Sequence, residues 1–148
     1  MSFINVSGEG EFVTLTLSVA SDMSNPLEVP ALQDIGVSNS NGVFRFKLLS
    51  QTSESAVLTP ATNQISINVI VDEAAMFGGT GSGAVLAGLF GLSNEKTRVY
   101  FEVDMGGGTG KTISGTGFIA GLSMSVTPDQ PLWTTPLTIE VDGNYTLA

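Results

Sequence analysis

The chain has 148 residues, a formal net charge of −9 and neither cysteine nor histidine. Those two absences exclude thiol catalysis, serine–histidine triads and zinc sites built on histidine or cysteine. The excess of 14 acids over 5 bases repels phosphate and argues against nucleic-acid binding. A chain of this length can bury a sizeable core without disulfides, so we expect residues 1–148 to form a single domain.

The first predicted strand is followed by a long segment rich in turn residues. Alternating apolar side chains in EFVTLTLSVA predict a half-buried strand over 11–20. Residues 22–41 contain two prolines and predict a loop, and loops of that length are usually functional. Four apolar side chains indicate that this loop is covered, either by its own core or by a neighbouring subunit: Leu27, Val29, Leu32 and Ile35.

Two further strands and one helix come next. Strand periodicity occurs in VFRFKLLSQ (43–51) and in ISINVIVDE (65–73). A short helix is predicted from about 83 to 92, and it should pack on the sheet through Val85, Leu86, Leu89 and Phe90. Its apolar stretch is too short to span a bilayer. The run GTGSGA (79–84) fits a dinucleotide-binding fingerprint, but no strand leads directly into it, so we predict no dinucleotide site.

The most suggestive motif is GGGTGKT at residues 106–112. A phosphate-binding loop would require a glycine where Met105 stands, and a helix after the lysine. The residues that follow Thr112 instead alternate as a strand does. We therefore predict that the glycines connect two strands and that the chain binds neither a nucleotide nor any other cofactor.

The last third of the chain completes a sheet. A strand is predicted over 97–105, with its acids pointing away from its apolar side chains. The next strand, 111–126, is unusually long, and a strand over 134–146 closes the sheet. The long strand has one bare face, typical of a bulge, a bend or a close backbone approach, because it carries Gly115, Gly117 and Gly121. The predicted fold is all-β: an antiparallel β-sandwich or open barrel with one short flanking α-helix and a long loop or arm.

Paired carboxylates are the candidate catalytic groups that remain. Glu102 and Asp104 lie two residues apart on one strand, as Glu140 and Asp142 do on another, which separates each pair by about 7 Å. Glycosidase chemistry would need such a pair in a cleft lined by aromatic residues, yet the chain has one tryptophan and two tyrosines. No calcium-loop motif is present. We therefore expect these acids to form a solvated face, with no enzyme activity and no metal.

Residues 113–147, ISGTGFIAGLSMSVTPDQPLWTTPLTIEVDGNYTL, resemble the C-terminal half of bacteriophage tail tube proteins. The resemblance lies in a Gly-x-Gly-aromatic-aliphatic strand at 115–119, a serine-rich segment at 122–128 and a closing strand at 137–143. The preceding order of a long loop, a strand, a strand with a short helix and another strand also agrees.

The resemblance implies a structural virion protein. Members of this family form hexameric rings that stack into a hollow tube, which conducts phage DNA through a lumen that is typically acidic. It implies as partners further copies of the chain and other tail proteins (tape measure, initiator or baseplate, terminator), with DNA only as unbound cargo and no membrane. Assembly in the host cytoplasm and residence in the virion tail are implied as well.

Two sets of residues acquire expected roles from this resemblance. The apolar residues of the long loop, Leu27, Val29, Leu32 and Ile35, become candidates for contacts between subunits. The acids Glu102, Asp104, Glu140 and Asp142 become candidates for the lumen wall. Other readings remain open: a capsid decoration or other structural virion β-protein, a β-sandwich carbohydrate-binding or adhesin module, and a carboxylate enzyme.

Overall fold

The computed structural model describes residue 4 and residues 12–148, so the first residue of the predicted strand 11–20 lies outside it. This part of the chain forms nine strands and two helices. The strands are β1 (Thr14–Ser18), β2 (Leu27–Glu28), β3 (Leu32–Phe46), β4 (Ser55–Ile70), β5 (Val99–Asp104), β6 (Thr112–Leu122), β7 (Ser125–Thr127), β8 (Gln130–Val141) and β9 (Thr146–Leu147). The helices are α1 (Glu73–Phe77) and α2 (Ala84–Asn94).

All nine strands belong to one sheet with the order β2-β1-β5-β6-β8-β4-β3, to which β7 is added beside β8 and β9 beside β6. Every described strand pair is antiparallel. The all-β, antiparallel prediction is therefore confirmed. The β5–β6 connection spans Met105–Lys111, so GGGTGKT leads into a strand as predicted.

The core consists of the inward side chains of the strands together with the two helices. Alternation places Leu15 and Leu17 of β1 and Val99, Phe101 and Val103 of β5 on the buried face. The cluster is completed by inward residues of β2, β4, β6 and β8 and by buried residues of both helices. The strands predicted over 11–20 and 97–105 were predicted correctly because each has one clean buried face.

The helical region differs from the prediction. Asp72 caps α1 by accepting a hydrogen bond from the Ala75 N–H at 3.1 Å, and α2 is kinked at Gly88, whose φ is 72°. A Cβ at Gly88 would lie 2.4 Å from the Gly78 nitrogen, so the kink lets α1 and α2 pack closely. The buried residues of α2 are Ala84, Gly88, Leu89 and Leu92. Leu89 is buried as predicted, but Leu86 and Phe90 are exposed rather than packed on the sheet.

The bare face of β6 serves the subunit's own packing. A bulge lies between Ile119 and Gly121, and the Gly115 α-carbon sits against the Phe101 ring. At Gly117 an added Cβ would lie 2.1 Å from the carbonyl oxygen of Glu140 on β8. The predicted bulge and close backbone approach are both present.

Gly117→Ala should therefore destabilise the fold. The methyl group must displace the backbone of β8, and overpacking of this kind costs about 1–3 kcal/mol. Gly36→Ala on β3 is the matched control, because a Cβ there would meet nothing closer than 3.9 Å. Urea unfolding of both variants measures the difference. Equal midpoints for the two variants would show that the backbone of β8 moves aside without loss of stability.

The prediction of a loop over 22–41 is wrong, because the segment contains β2 and the first part of β3. Residues 27–28 form β2, and β3 begins at Leu32 and continues to Phe46, beyond the start of the predicted strand 43–51. The strand predicted over 65–73 begins ten residues earlier, at Ser55, and ends at Ile70. The polar residues of GVSNSNG resemble a turn, but their backbones pair with β4 along the whole stretch. Ladder hydrogen bonds overrode the local turn propensity.

Candidate assembly surfaces

The β3–β4 hairpin projects from the sheet as an arm, which we define as residues 41–61. The last pair between β4 and β8 joins Asn63 to Val141, and beyond it β4 pairs only with β3 in the described chain. With a rise of about 3.3 Å per residue, the residues from Ser55 to Thr62 carry the tip about 26 Å past the sheet. Leu48–Gln51 forms the tip turn, with a hydrogen bond from Gln51 N–H to the Leu48 carbonyl.

The arm exposes apolar side chains that nothing in the described chain covers. None of residues 41–60 is buried, and the Leu49 side chain at the tip is fully exposed. Phe44 stacks on Phe46 with ring centroids 6.1 Å apart. The exposed apolar residues lie on both faces and at the tip: Val43, Phe44, Leu48, Leu49, Val57 and Leu58. Because a lone two-stranded hairpin is marginally stable in water, an exposed apolar arm indicates a surface meant to be covered.

A network of asparagines fixes the base of the arm. Asn63 is buried, and its amide donates a hydrogen bond to the Gly143 carbonyl at 2.6 Å. Its side-chain oxygen accepts a hydrogen bond from Asn39 on β3. Gly143 has a φ of 93°, which only glycine adopts readily, and it lies in the interruption between β8 and β9. The bend at Gly143 thus holds the arm at the point where the arm leaves the sheet.

Tyr145 reinforces this attachment. Its hydroxyl donates to the Ser38 carbonyl at 2.6 Å and contacts the Gln64 carbonyl at 3.1 Å, on β3 and β4 respectively. Its ring meets Phe101 edge-on at 6.3 Å. A phenol is protonated at neutral pH in any case, and burial raises the pKa of Tyr145 further, so the hydroxyl remains a donor. Tyr145 therefore fastens the arm base to the core.

The outward face of the sheet is polar and acidic. Thr16 pairs with Glu28 on one side and with Glu102 on the other, while Asp34 faces Asn68 and Glu140 faces Gln64. Asn68 donates to both Asp34 oxygens at 2.9 and 3.0 Å, and Gln64 donates to Glu140 at 2.9 Å. Five strand acids share this orientation: Glu28, Asp34, Glu102, Asp104 and Glu140.

The chain has five bases. They are Arg45 and Lys47 on the arm, Lys96 and Arg98 between α2 and β5, and Lys111 before β6. Among the described residues, Arg98 forms the one ion pair, with Asp142 at 2.8 Å. Arg45, on the arm part of β3, is the one base that lies within a described strand, so the outward acids of β2, β5 and β8 share their strands with no base.

An apolar groove lies at the end of the sheet opposite the arm. It has a volume of about 190 Å³ and is lined by Val71, Phe77, Met124 and Trp133. The Val71 N–H donates to the Trp133 carbonyl at 2.8 Å, which joins the end of β4 to β8. Trp133 and Phe77 are both more than half exposed.

Two further features bear on function. Within the described part of the chain, no group of three or more acidic residues is placed to hold a metal ion. Neither α1 nor α2 has the length and apolar character that crossing a bilayer requires.

No protein-family model and no curated protein matches the sequence significantly, but several solved structures match the fold. A chain of the SPP1 tail tube gives a TM-score of 0.67 at 10% identity, over 93% of this chain and 77% of that one. A chain from the tail of an empty gene transfer agent particle, solved with C6 symmetry, gives 0.64 at 12% identity, over 90% and 95%. The chain has the tail tube fold.

A third solved structure also matches the fold. A chain of the anti-feeding prophage baseplate, 6-fold symmetrised, gives a TM-score of 0.68 at 11% identity, over 100% of this chain and 97% of that one. The resemblance seen in residues 113–147 is thus confirmed at the level of the fold.

In this tail tube fold the four predicted lumen acids do not share one environment. Glu102 is exposed and Asp104 half-buried, and they are neighbours on the outward side of β5. Glu140 has the same orientation on β8, with β6 between the two strands. Asp142 lies just past β8 and is paired with Arg98. That any of them lines a lumen stays a prediction.

The predicted contact residues are mostly occupied within the subunit. Leu27 and Val29 are buried in the core, and Leu32 and Ile35 pack partly against it. The segment folds back on the subunit's own core, which explains why these four residues are apolar. A role in contacts between subunits stays a prediction for these four residues, of which Leu32 and Ile35 retain some exposed surface.

Sequence reasoning missed the arm, which carries six exposed apolar side chains. A signal was available: VFRFKLL and SAVL both place apolar residues at consecutive positions next to a polar turn, Ser50–Glu54. Two short apolar runs around such a turn are a hairpin pattern.

Proposed function

We propose that this chain is a tail tube subunit whose hexameric rings stack into a hollow tube with an acidic lumen that conducts phage DNA. The observation that carries the proposal is the tail tube fold, which extends over 90% or more of the chain in three comparisons. Two of those structures were solved with six-fold symmetry, which supports a ring of six.

The two exposed surfaces fit this role. An arm that projects about 26 Å with uncovered apolar side chains is suited to contact a neighbouring subunit. An outward face with five strand acids, in a sheet whose one described strand base is Arg45 of the arm, is suited to a channel wall. A polyanion gains no counterion release from such a wall, so DNA would slide along it without binding.

The proposal also covers location and partners. The tube would reside in the virion tail after assembly in the host cytoplasm. Its partners would be further copies of this chain together with the tape measure, the initiator or baseplate and the terminator. We propose no enzymatic activity for the subunit.

A carbohydrate-binding module is the alternative that the exposed Trp133 could suggest. Sugar binding requires polar groups that hydrogen-bond hydroxyls beside the aromatic platform. The groove at Trp133 is lined by Val71, Phe77 and Met124, which offer none. The groove therefore suits an apolar protein surface better than a sugar.

Electron microscopy of the purified protein tests the proposal. We expect rings or tubes with six-fold symmetry at high protein concentration or after addition of an initiator complex, and sedimentation velocity should show the same polymer. A species that stays strictly monomeric at every concentration and salt tested would contradict a tube subunit. Closed trimers would instead point to a capsid decoration protein.

A further inference from the structure

We propose that the arm tip of one subunit docks into the groove formed by Val71, Phe77, Met124 and Trp133 on a second copy of this chain. The inference rests on the proposed function, since it names the contact that would join subunits in the tube. It adds the partner surface, which the arm alone does not identify.

The tip is shaped and exposed for insertion. Turn positions usually hold glycine, proline, asparagine, aspartate or serine, yet here the turn begins with Leu48 and Leu49. The relative exposure of Leu49 is 109% and that of Leu48 is 49%. Two leucines at the end of a narrow hairpin form an apolar knob.

The groove matches the knob in chemistry. All four lining residues are apolar, and Trp133 stands 52% and Phe77 57% exposed at its rim. Val126 on β7, two residues after Met124, adds exposed apolar surface, whereas Leu132 lines a separate cavity. The groove therefore offers an apolar site with a wider apolar border.

The two surfaces lie at opposite ends of the subunit. In the β4–β8 ladder, Asn63 pairs with Val141 at the arm end and Ile70 pairs with Thr134 at the groove end. The ladder ends next to Trp133 on one side, and the arm leaves it on the other. A knob and a groove at opposite ends cannot meet within one subunit, but they can meet head to tail between copies. Contacts of this heterologous kind build open stacks.

Charges at the two ends are complementary. The segments that form the groove, residues 70–77 and 124–134, contain three charged residues, all acidic: Asp72, Glu73 and Asp129. Around the tip the arm carries two bases and one acid, all exposed, for a net charge of +1: Arg45, Lys47 and Glu54. Opposite charges around an apolar contact favour this docking over tip-to-tip or groove-to-groove pairing.

Site-directed cross-linking tests the contact cleanly because the chain has no cysteine. Leu49→Cys places a thiol on the tip, and Met124→Cys places one in the groove while leaving Phe77 and Trp133 intact. After assembly, a short bismaleimide should join the two variants in a mixture and should leave each variant alone uncrosslinked. The control mixture pairs Leu49→Cys with Leu147→Cys, whose position is 76% exposed outside the groove.

Each other outcome overturns the inference. Cross-linking of Leu49→Cys to itself would show that tips meet each other, and equal cross-linking to Leu147→Cys would show a nonspecific contact. Tubes that form without any cross-link would reject the docking but leave the proposed function standing. A protein that never polymerises would reject both.

The single tryptophan provides a second readout. Trp133 is half exposed in the subunit, so docking of the tip should move its fluorescence to shorter wavelengths upon assembly. Leu48→Ser with Leu49→Ser should abolish that shift, whereas Leu147→Ser should retain it. A shift that persists without the two tip leucines would mean that another surface covers Trp133.

Discussion

Replacing the arm by a two-residue turn should give a folded subunit that no longer polymerises. In this variant, residues 41–61 are removed and an Asn-Gly turn, which suits a tight hairpin, joins Ser40 to Thr62, which face each other across β3 and β4. None of residues 41–60 is buried, so the core should keep its stability. We expect the unfolding midpoint to move by less than about 4 °C.

Sedimentation velocity and electron microscopy measure the loss of assembly, and circular dichroism measures the fold. Deletion of residues 27–35 is the contrasting control. It removes Leu27 and Val29 from the core, each worth about 1.5–3 kcal/mol, together with the start of β3, so that variant should unfold. Tubes built by the armless variant, or its unfolding, would contradict the role assigned to the arm.

The strands that sequence reasoning identified correctly are those with one face on the core. In β1 and β5 the alternation of Leu15 and Leu17, or of Val99, Phe101 and Val103, records burial directly. The arm has no such record, because both of its faces are exposed in the subunit. Its apolar residues therefore fall on both faces, and its polar base at Ser38–Asn41 looks like a turn. The apolar residues of the arm can be interpreted only when the surface that covers them is known.

The candidate site was predictable to a similar extent. The outward orientation of Glu102 and Asp104 follows from the strand period alone. The ion pair of Asp142 with Arg98 and the attachment of Tyr145 to Ser38 do not. They depend on contacts between residues 44 and 107 positions apart, which no local pattern encodes. The apolar residues of the segment 22–41 indicate that it is covered, but the sequence does not show whether the subunit's own core or a neighbouring subunit covers it.

Reversing the charge of Glu102 and Asp104 should leave tube assembly intact and make the lumen bind DNA. Both side chains point away from the core on β5, so lysine can replace them without disturbing core packing, although Asp104→Lys removes the hydrogen bond that Asp104 accepts from the Gly106 N–H at 2.9 Å. In the proposed hexamer, six copies of each acid form a ring of negative charge. Within a narrow channel, charges act on DNA across a Debye length of about 8 Å at physiological salt. Lysines there would release counterions from DNA and hold it electrostatically.

The measurement is binding of a short fluorescent duplex to assembled tubes as a function of salt. Glu102→Lys with Asp104→Lys should bind the duplex with an affinity that falls steeply as salt rises, and in a phage that uses this tube DNA ejection should slow or stop. The same duplex with streptavidin on both ends is too wide to enter and should not bind. Glu102→Gln with Asp104→Asn should bind little, because it removes charge without adding an attractive one.

A charge-matched control separates the lumen from a general effect of net charge. Asp22→Lys with Glu95→Lys, at exposed loop positions, changes the net charge of −9 by the same amount as the double substitution on β5 and should leave the tube inert toward the duplex. If the β5 variant fails to assemble, its carboxylates belong to an interface between subunits. If it binds the blocked duplex as well as the open one, β5 faces the outside of the tube. Asp34 and Glu140, the outward acids on the other half of the sheet, would then be the next candidates for the lumen wall.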